Sequence, residues 1–235
     1  MKQVDIQSLN ISEEKGTIKT PVDSVEIDET GVEGDAHAGY WHRQVSLLGV
    51  ESLKKAEEQN KRSFNFGDFG ENITTEGLEL HKTNILDRFE CGDVVLQVTQ
   101  IGKKCHSGCE IMQQVGSCIM PVEGIFCRVL KTGELKTGDR LAYIPKEIKV
   151  LVVTLSDRAA KGIYKDKSGP FAAKLVKEFF EKGNRSVNIE NTIIPDDSEK
   201  LEELLLNAAN EKVDIIITTG GTGIGSRDIT PDIVK

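Results

Sequence analysis

The stretch Val213-Asp214-Ile215-Ile216-Ile217-Thr218-Thr219-Gly220-Gly221-Thr222-Gly223-Ile224-Gly225-Ser226-Arg227-Asp228-Ile229-Thr230-Pro231-Asp232 decides the reading of the C-terminal half. Its first five residues form an apolar run, the pattern of a buried parallel strand. The glycine-rich turn that follows brings backbone N–H groups to the carboxyl edge of a sheet, where α/β proteins hold anionic ligands. Arg227 and Asp228 add one cation and one carboxylate at that edge. No Gly-Lys-Ser/Thr triplet follows, so the turn is not a P-loop. Taken alone, the glycines also fit a tight surface turn in which Arg227 simply pairs with Asp228.

Upstream, Lys149-Val150-Leu151-Val152-Val153-Thr154-Leu155 is a continuous apolar strand. Gly169-Pro170 opens a helix that carries Ala172, Leu175, Val176 and Phe179 on one face and stops near Gly183. Residues 187–194 read as a second strand, and Asp197-Ser198-Glu199-Lys200 starts a helix with Leu201, Leu204, Leu205 and Ala208 as its stripe. This βαβαβ order predicts a three-layer α/β domain with a parallel sheet over residues 148–235. Three strands leave one parallel edge open, so the domain is expected to be truncated, or a remnant that a partner completes.

Three polar loops leave the carboxyl ends of those strands and converge in a doubly wound sheet. They are Ser156-Asp157-Arg158, then Pro195-Asp196-Asp197, then the Thr218 to Asp228 turn. Asp196 and Asp228 suit a shared Mg²⁺, which takes one or two carboxylates plus substrate phosphates. Thr and Gly N–H groups hold an anion there, and metal-assisted phosphoryl or nucleotidyl transfer is the natural reaction class.

Before residue 145 the texture differs. Short β segments such as 24–28, 93–98 and 125–130 alternate with turn signals at Glu33-Gly34-Asp35, Cys91-Gly92-Asp93 and Thr137-Gly138-Asp139. A helix is expected from about Val50 to Lys61, with Leu53 and Ala56 inward, and a shorter one after Cys109. Many strands with little helix predict a closed, mostly-β barrel over residues 1–144, joined to the second domain by a short linker around Pro145.

The 235 residues fit two modest domains. A net charge of −8 argues against a nucleic-acid partner, which calls for a basic stripe. No apolar run approaches the roughly 20 residues that span a bilayer, and the N-terminus lacks the apolar core of a secretory signal. A cytoplasmic protein with no membrane partner is expected. The five cysteines are odd in number and all lie between Cys91 and Cys127, which disfavours a disulfide framework. Cys105 is the sharpest of them: two lysines precede it, a histidine follows, and nearby cations favour the thiolate. An idle thiol is the alternative. A zinc site from Cys105, His106, Cys109 and Cys118 departs from paired C-x₂-C spacing. His37 and His42 are not at helical zinc-ligand spacing and are read as pocket-lining or hydrogen-bonding groups, and Cys91, Cys118 and Cys127 as core or loop thiols.

The C-terminal motifs Thr154-Leu155-Ser156-Asp157-Arg158, Gly162-Ile163-Tyr164-Lys165-Asp166-Lys167-Ser168-Gly169-Pro170, Ile194-Pro195-Asp196-Asp197 and Thr218 to Gly223 with Arg227 to Asp232 resemble the molybdopterin-binding, molybdopterin adenylyltransferase family. That resemblance implies adenylylation of a pterin dithiolene with Mg-ATP, with Asp196 and Asp228 as the functional carboxylates. It also implies a pterin-phosphate loop at Thr218, Thr219, Gly220, Gly221, Thr222 and Gly223, with Ser156, Asp157, Arg158 and Arg227 on the same ligand. The family implies a trimer as well.

Residues 1–144 resemble the MOSC domain, the module named after the C-terminal part of molybdenum cofactor sulfurases. The resemblance rests on Gly34-Asp35-Ala36-His37, His42-Arg43, Phe69-Gly70-Glu71-Asn72-Ile73 and Gln97-Val98-Thr99-Gln100 leading to Cys105. It implies a barrel that carries sulfur on Cys105 or binds molybdenum or tungsten through it, with His37, Arg43, Asn72 and Lys103 around the cofactor. Pyridoxal phosphate enters only as a family-level association.

Two modules for one pterin cofactor have a reason to be fused, since a tether raises the effective concentration of one site near the other. The expected function is molybdenum or tungsten cofactor biosynthesis or maturation, with other molybdenum-cofactor enzymes as recipients. The alternatives are a non-catalytic cofactor carrier and a thiol-dependent detoxifying reductase built on the barrel.

Overall fold

The computed structural model describes residues 2–104, 110–116, 118–223 and 229–234. The chain divides into two compact units, Met1–Lys146 and Glu147–Lys235. Among the described residues no helix is long and apolar enough to cross a membrane.

The first unit runs β1 (Lys2–Ile11), β2 (Thr20–Val22), β3 (Ser24–Asp28), β4 (Gly31–Val32), β5 (Val45–Gly49), α1 (Val50–Asn60), β6 (Ile73–Glu76), β7 (Arg88–Cys91), β8 (Val94–Ile101), α2 (Glu110–Val115), β9 (Ile125–Lys131), β10 (Gly133–Lys136) and β11 (Arg140–Ile144). Seven strands follow one another as β11-β7-β8-β9-β5-β6-β1, and β1 returns to β11 with Lys2 opposite Tyr143 and Asp5 opposite Arg140. Closure removes the open edges that an isolated sheet leaves for association. Among the described strands of this unit only β5 and β6 pair in parallel, and helix α1 lies in the long connection that such a pair requires.

Period-two alternation sorts the side chains. Val4, Ile6, Leu47, Leu96, Val98, Ile125 and Cys127 fill the main core. Their neighbours Leu48 and Phe126 belong to a second cluster with Leu53 and Ala56 of α1, Phe69, Ile111 and Met120. Strand residues of opposite parity therefore hold the barrel together and hold the helices on it.

The second unit runs β12 (Ile148–Leu155), α3 (Asp157–Ala160), α4 (Ser168–Lys182), β13 (Val187–Ile194), α5 (Ser198–Asn210), β14 (Ile215–Thr219) and α6 (Thr230–Ile233). Its parallel sheet has the order β13-β12-β14. The central strand β12 is buried on both faces. Leu151, Val153 and Leu155 meet Leu201 and Ala208 of α5, whereas Ile148, Val150 and Val152 meet α4. The three-layer α/β arrangement expected from the sequence is thus present.

Two local readings need correction. The strand of the opening motif is an edge strand and not a buried one: Ile215 is 37% exposed, because β14 has a single strand neighbour among the described residues. The inward face of α4 is Ala172, Ala173, Val176 and Phe180, while Leu175 and Phe179 are 50% and 72% exposed. Two apolar stripes share this helix. The sheet, only three strands wide, covers one of them and leaves the other beside the open edge of β14.

Candidate functional site

In the barrel unit a cavity of about 330 Å³ opens where the β1–β2 connection, the loop before β5 and the segment after β8 meet. Lys15, Arg43, Lys103 and Lys104 line it together with Trp41 and Phe126, and no Asp or Glu is among its described lining residues. Four cations concentrated on a chain of net charge −8 make this wall locally basic.

The residues reach this wall for local reasons. Gly102 (φ +65°) turns the chain at the end of β8, and an added Cβ there sits 2.3 Å from the carbonyl oxygen of Pro121, so only glycine lets Lys103 and Lys104 follow. The Trp41 indole N–H donates to the His37 carbonyl at 3.0 Å, which fixes the ring. The Arg43 guanidinium carbon lies 4.7 Å from the Trp41 ring centre and 5.7 Å from that of Phe126. Lys103 Nζ stands 5.6 Å from the same phenyl ring. Cations over aromatic faces keep their charge while being held in place. The buried Arg43 Nε has no hydrogen-bond partner among the described residues, and a donor so placed is able to bond a ligand oxygen.

Four of the expected site residues, His37, Arg43, Asn72 and Lys103, line this one cavity. Asn72 does so with its side chain already committed. Its Oδ1 accepts from the Ser46 N–H at 3.1 Å and the Ser46 hydroxyl at 2.9 Å, and its Nδ2 donates to the Asn10 carbonyl at 3.3 Å. Asn72 therefore ties β1 to β5 at the cavity floor. Next to it Glu71 is fully buried; burial pushes its carboxyl pKa up, against hydrogen bonds from the Gly67 N–H and the Thr74 hydroxyl. Cys105 lies outside the described residues, as do His106 and Cys109; Lys104, which directly precedes Cys105, lines the cavity. The Cys118 side chain lines it as well. Burial pushes the Cys127 thiol far up and the Cys91 thiol up, which suits inert thiols. The described residues hold no group of three or more His, Cys, Asp or Glu placed for a metal ion.

Sequence reasoning missed Lys15, Lys19, Trp41 and Phe126. Trp41 carried a signal, being the chain's single tryptophan set between polar residues and next to His42 and Arg43. Lys19 carried none, because its partner Asp35 is sixteen positions away.

In the second unit the three loops meet at the carboxyl edge of the sheet. Asp157 and Asp196 join the first two: the Asp157 N–H donates to Asp196 Oδ2 at 3.2 Å, and the Asp196 N–H to Asp157 Oδ1 at 3.3 Å. Ser156 caps α3 by accepting from the Ala159 N–H and lies 3.0 Å from the Tyr164 hydroxyl, whose ring carries Arg158 at 5.2 Å. Asp166 accepts from the Thr154 hydroxyl at 2.8 Å and from the Ser168 N–H at 2.9 Å. Burial works against its carboxylate, but these bonds outweigh it and hold the pKa below the usual range. The Thr219 hydroxyl reaches Thr154 at 3.3 Å and Ser168 at 3.2 Å.

Gly220 (φ +88°) takes the chain past β12 so closely that a Cβ falls 2.2 Å from the Leu155 carbonyl oxygen. Gly221 follows, with its Cβ position 3.7 Å from Asp196 Oδ1, so the glycine-rich loop passes the Asp196 carboxylate. Thr218 and Thr219 are the last two residues of β14, and Thr222 and Gly223 are exposed in the loop. Arg227 and Asp228 lie outside the described residues, so the Asp196–Asp228 pair is seen from one side only. An open recess of about 520 Å³ runs along Asp157, Asp196, Asp197 and Lys200.

Comparison with known proteins matches each unit to a family. The family described as "Probable molybdopterin binding domain" matches residues 151–235, and the MOSC domain matches residues 34–142. A molybdopterin adenylyltransferase from Pyrococcus furiosus is 40% identical over 91 residues, 39% of this chain and 50% of that protein. Molybdenum cofactor biosynthesis protein B from Bacillus cereus is 37% identical over 92 residues, again 39% and 50%. The chain spans about half the length of the curated relatives it matches. The barrel shares its fold with the YuaD protein from Bacillus subtilis, with a TM-score of 0.53 at 18% identity over 61% of this chain and 97% of that one. YiiM from Geobacillus stearothermophilus gives 0.51 at 24% identity over 62% and 77%. The chain thus joins a MOSC domain, residues 34–142, to a domain of the molybdopterin-binding family, residues 151–235.

Proposed function

We propose that this chain acts in the biosynthesis or maturation of the molybdenum or tungsten cofactor, and that both units handle the same pterin. The observation that carries the reading is the barrel cavity. Four cations, two aromatic rings and no carboxylate among its described lining form a receptor for a flat, phosphate-bearing ligand. Arg43 is suited to a bidentate phosphate contact, with Lys103, Lys104 and Lys15 supplying point charges. Trp41 and Phe126 flank Arg43. Asn72 is a positioning residue that keeps β1 and β5 in register beneath the ligand.

Cys105, next in the chain after the cavity residue Lys104, is the residue to which sulfur relay or molybdenum ligation is assigned. A thiolate is a soft ligand for such a metal.

In the second unit the Thr218 to Gly223 loop, Ser156, Asp157 and Arg158 form the wall for molybdopterin, and Asp196 with Asp228 holds Mg²⁺ of a Mg-ATP substrate. The Pyrococcus furiosus relative is a molybdopterin adenylyltransferase by name, and this reading extends that chemistry to the present chain. The fit rests on the Gly221 backbone running beside the Asp196 carboxylate, which sets an anion-binding turn next to a hard-metal ligand. The metal ion would neutralise phosphate charge; the protein's part is to hold the loops together.

Titration of the whole chain with molybdopterin tests the proposal, using Arg43→Ala for the barrel and Asp196→Ala and Asp228→Ala for the second unit. Each site should lose affinity independently. Affinity unchanged in all three variants overturns the reading. Metal content separates a carrier from a biosynthetic protein: a carrier retains molybdenum or tungsten stoichiometrically through purification and loses it on Cys105→Ser.

A further inference from the structure

The barrel cavity contains a thiol that the ligand-binding account leaves unused. Cys118 is partly buried against the cluster of Ile111, Met120 and Phe126, and it lines the cavity together with Lys15, Arg43, Lys103 and Lys104. Two observations at the same wall point to an anionic ligand. No Asp or Glu is among the described lining residues, and the buried Arg43 Nε has no hydrogen-bond partner among the described residues.

The other two described cysteines sit in different surroundings. Cys127 is fully buried in the main core of the barrel. Cys91 ends β7 and is partly buried; burial raises its thiol pKa, and the nearby Asp139 carboxylate raises it further. That carboxylate also repels an approaching anion.

We propose that Cys118 is a modification site: an anionic disulfide drawn into the cavity exchanges with its thiol, and the mixed disulfide left behind closes the cavity to its ligand. This inference rests on the reading of the cavity as an anion receptor. The Cys118 sulfur attacks one sulfur of the disulfide, and a new S–S bond forms as the reagent's own S–S bond breaks. Cys118 is thereby oxidised to the disulfide level, the second reagent sulfur leaves reduced as a thiolate, and the thiol proton passes to water. A reducing thiol reverses the step by the same exchange.

Charge sets the selectivity. A cleft lined by one sign of charge raises the local concentration of the opposite ion by about 10–10³-fold. The half of the reagent retained on Cys118 places its own anion among the four cations, where the ligand's phosphate would otherwise pair.

The test uses the whole wild-type chain and three small aliphatic disulfides: dithiodiglycolate, a dianion; hydroxyethyl disulfide, which is neutral; and cystamine, a dication. Peptide mass spectrometry after limited reaction reads the labelling of Cys118 relative to Cys91, so the reference thiol is in the same molecule. That ratio should be greatest with the dianion, exceeding the neutral reagent by about tenfold or more, and smallest with the dication. Added salt should reduce the preference, because it screens the cavity charges. Arg43→Ala should lower the ratio for the dianion alone. Chain labelled at Cys118 by dithiodiglycolate should bind sulfate about tenfold or more weakly, as reported by the fluorescence of Trp41, the chain's single tryptophan and a cavity residue. Dithiothreitol should restore the affinity.

A Cys118 to Cys91 ratio that is the same for all three reagents overturns the inference; if sulfate still shifts Trp41 fluorescence in the untreated chain, the anion receptor stands without it. Label on Cys105 or Cys109 with Cys118 unmodified overturns the assignment of the site. Label on Cys118 with sulfate affinity unchanged overturns the closing role. A flat ratio in a chain whose Trp41 does not respond to sulfate overturns the receptor and this inference together.

Discussion

Replacing Asn72 with alanine separates a positioning residue from a ligand contact. The side chain makes three bonds, to the Ser46 N–H, the Ser46 hydroxyl and the Asn10 carbonyl, at a site 2% exposed. The Ser46 hydroxyl keeps an alternative acceptor, the Gly70 carbonyl at 3.3 Å. The Ser46 N–H and the Asn10 carbonyl lose these partners, and Pro21, which faces Asn10 across β1 and β2, has no N–H to give. A buried polar group left unpaired costs about 1–3 kcal/mol, and the longer Asn10 bond belongs at the low end, so Asn72→Ala should lose roughly 2–4 kcal/mol. Equilibrium urea unfolding followed by Trp41 fluorescence reads this directly, since Trp41 reports only the barrel unit. The transition of the second unit, read by circular dichroism, should not move. A loss below about 1 kcal/mol accompanied by lost ligand affinity would refute the positioning role and return Asn72 to the ligand.

Gly220→Ala places a Cβ 2.2 Å from the Leu155 carbonyl oxygen at a φ of +88°; the left-handed backbone alone costs about 1–2 kcal/mol, so the second unit should melt earlier while the Trp41 transition stays fixed. Phe179→Ser, at a residue 72% exposed, should change stability by no more than about 0.5 kcal/mol, whereas Phe180→Ala on the packed face of α4 should lose about 3 kcal/mol or more; thermal melts compare the two. Asp35→Asn should destabilise the barrel at neutral pH. Because the folded-state pKa of Asp35 is lowered, that difference is complete above about pH 4 and shrinks as acid protonates the wild-type carboxylate. Cys127, buried with its thiol pKa pushed up, should resist a disulfide reagent in the native chain and react once urea unfolds the barrel, as peptide mapping will show.

The βαβαβ order was legible because β12 is apolar on both faces, α4 stops at Gly183, and α5 carries its Asp197 cap and its apolar stripe in sequence. The burial of β14 was not legible: an isoleucine run reads alike in a central strand and at an edge, and only the sheet order distinguishes them. The face of α4 failed for a related reason. Leu175 and Phe179 fit a helical stripe as well as Val176 and Phe180 do, and the width of the sheet chooses between them. In the barrel, turn signals and alternation announced a closed sheet, yet not its register. That register brings Lys15, Trp41, Arg43 and Lys103 to one wall from segments far apart in the chain. Local motifs found Arg43 and Lys103; the long-range pair Lys19–Asp35 has no local signature.

The central claim is that the cation-lined barrel cavity holds the pterin cofactor through its phosphate. Molybdopterin titrated into the whole chain, followed by Trp41 fluorescence, tests it most directly because that signal comes from the cavity wall and not from the second unit. Loss of a charge-assisted contact is worth about 1.5–3 kcal/mol, so Arg43→Ala should weaken the Trp41-reported affinity by roughly ten- to a hundredfold, with Asp196→Ala leaving it unchanged. A Trp41 titration that is the same in wild-type and Arg43→Ala chains would contradict the account.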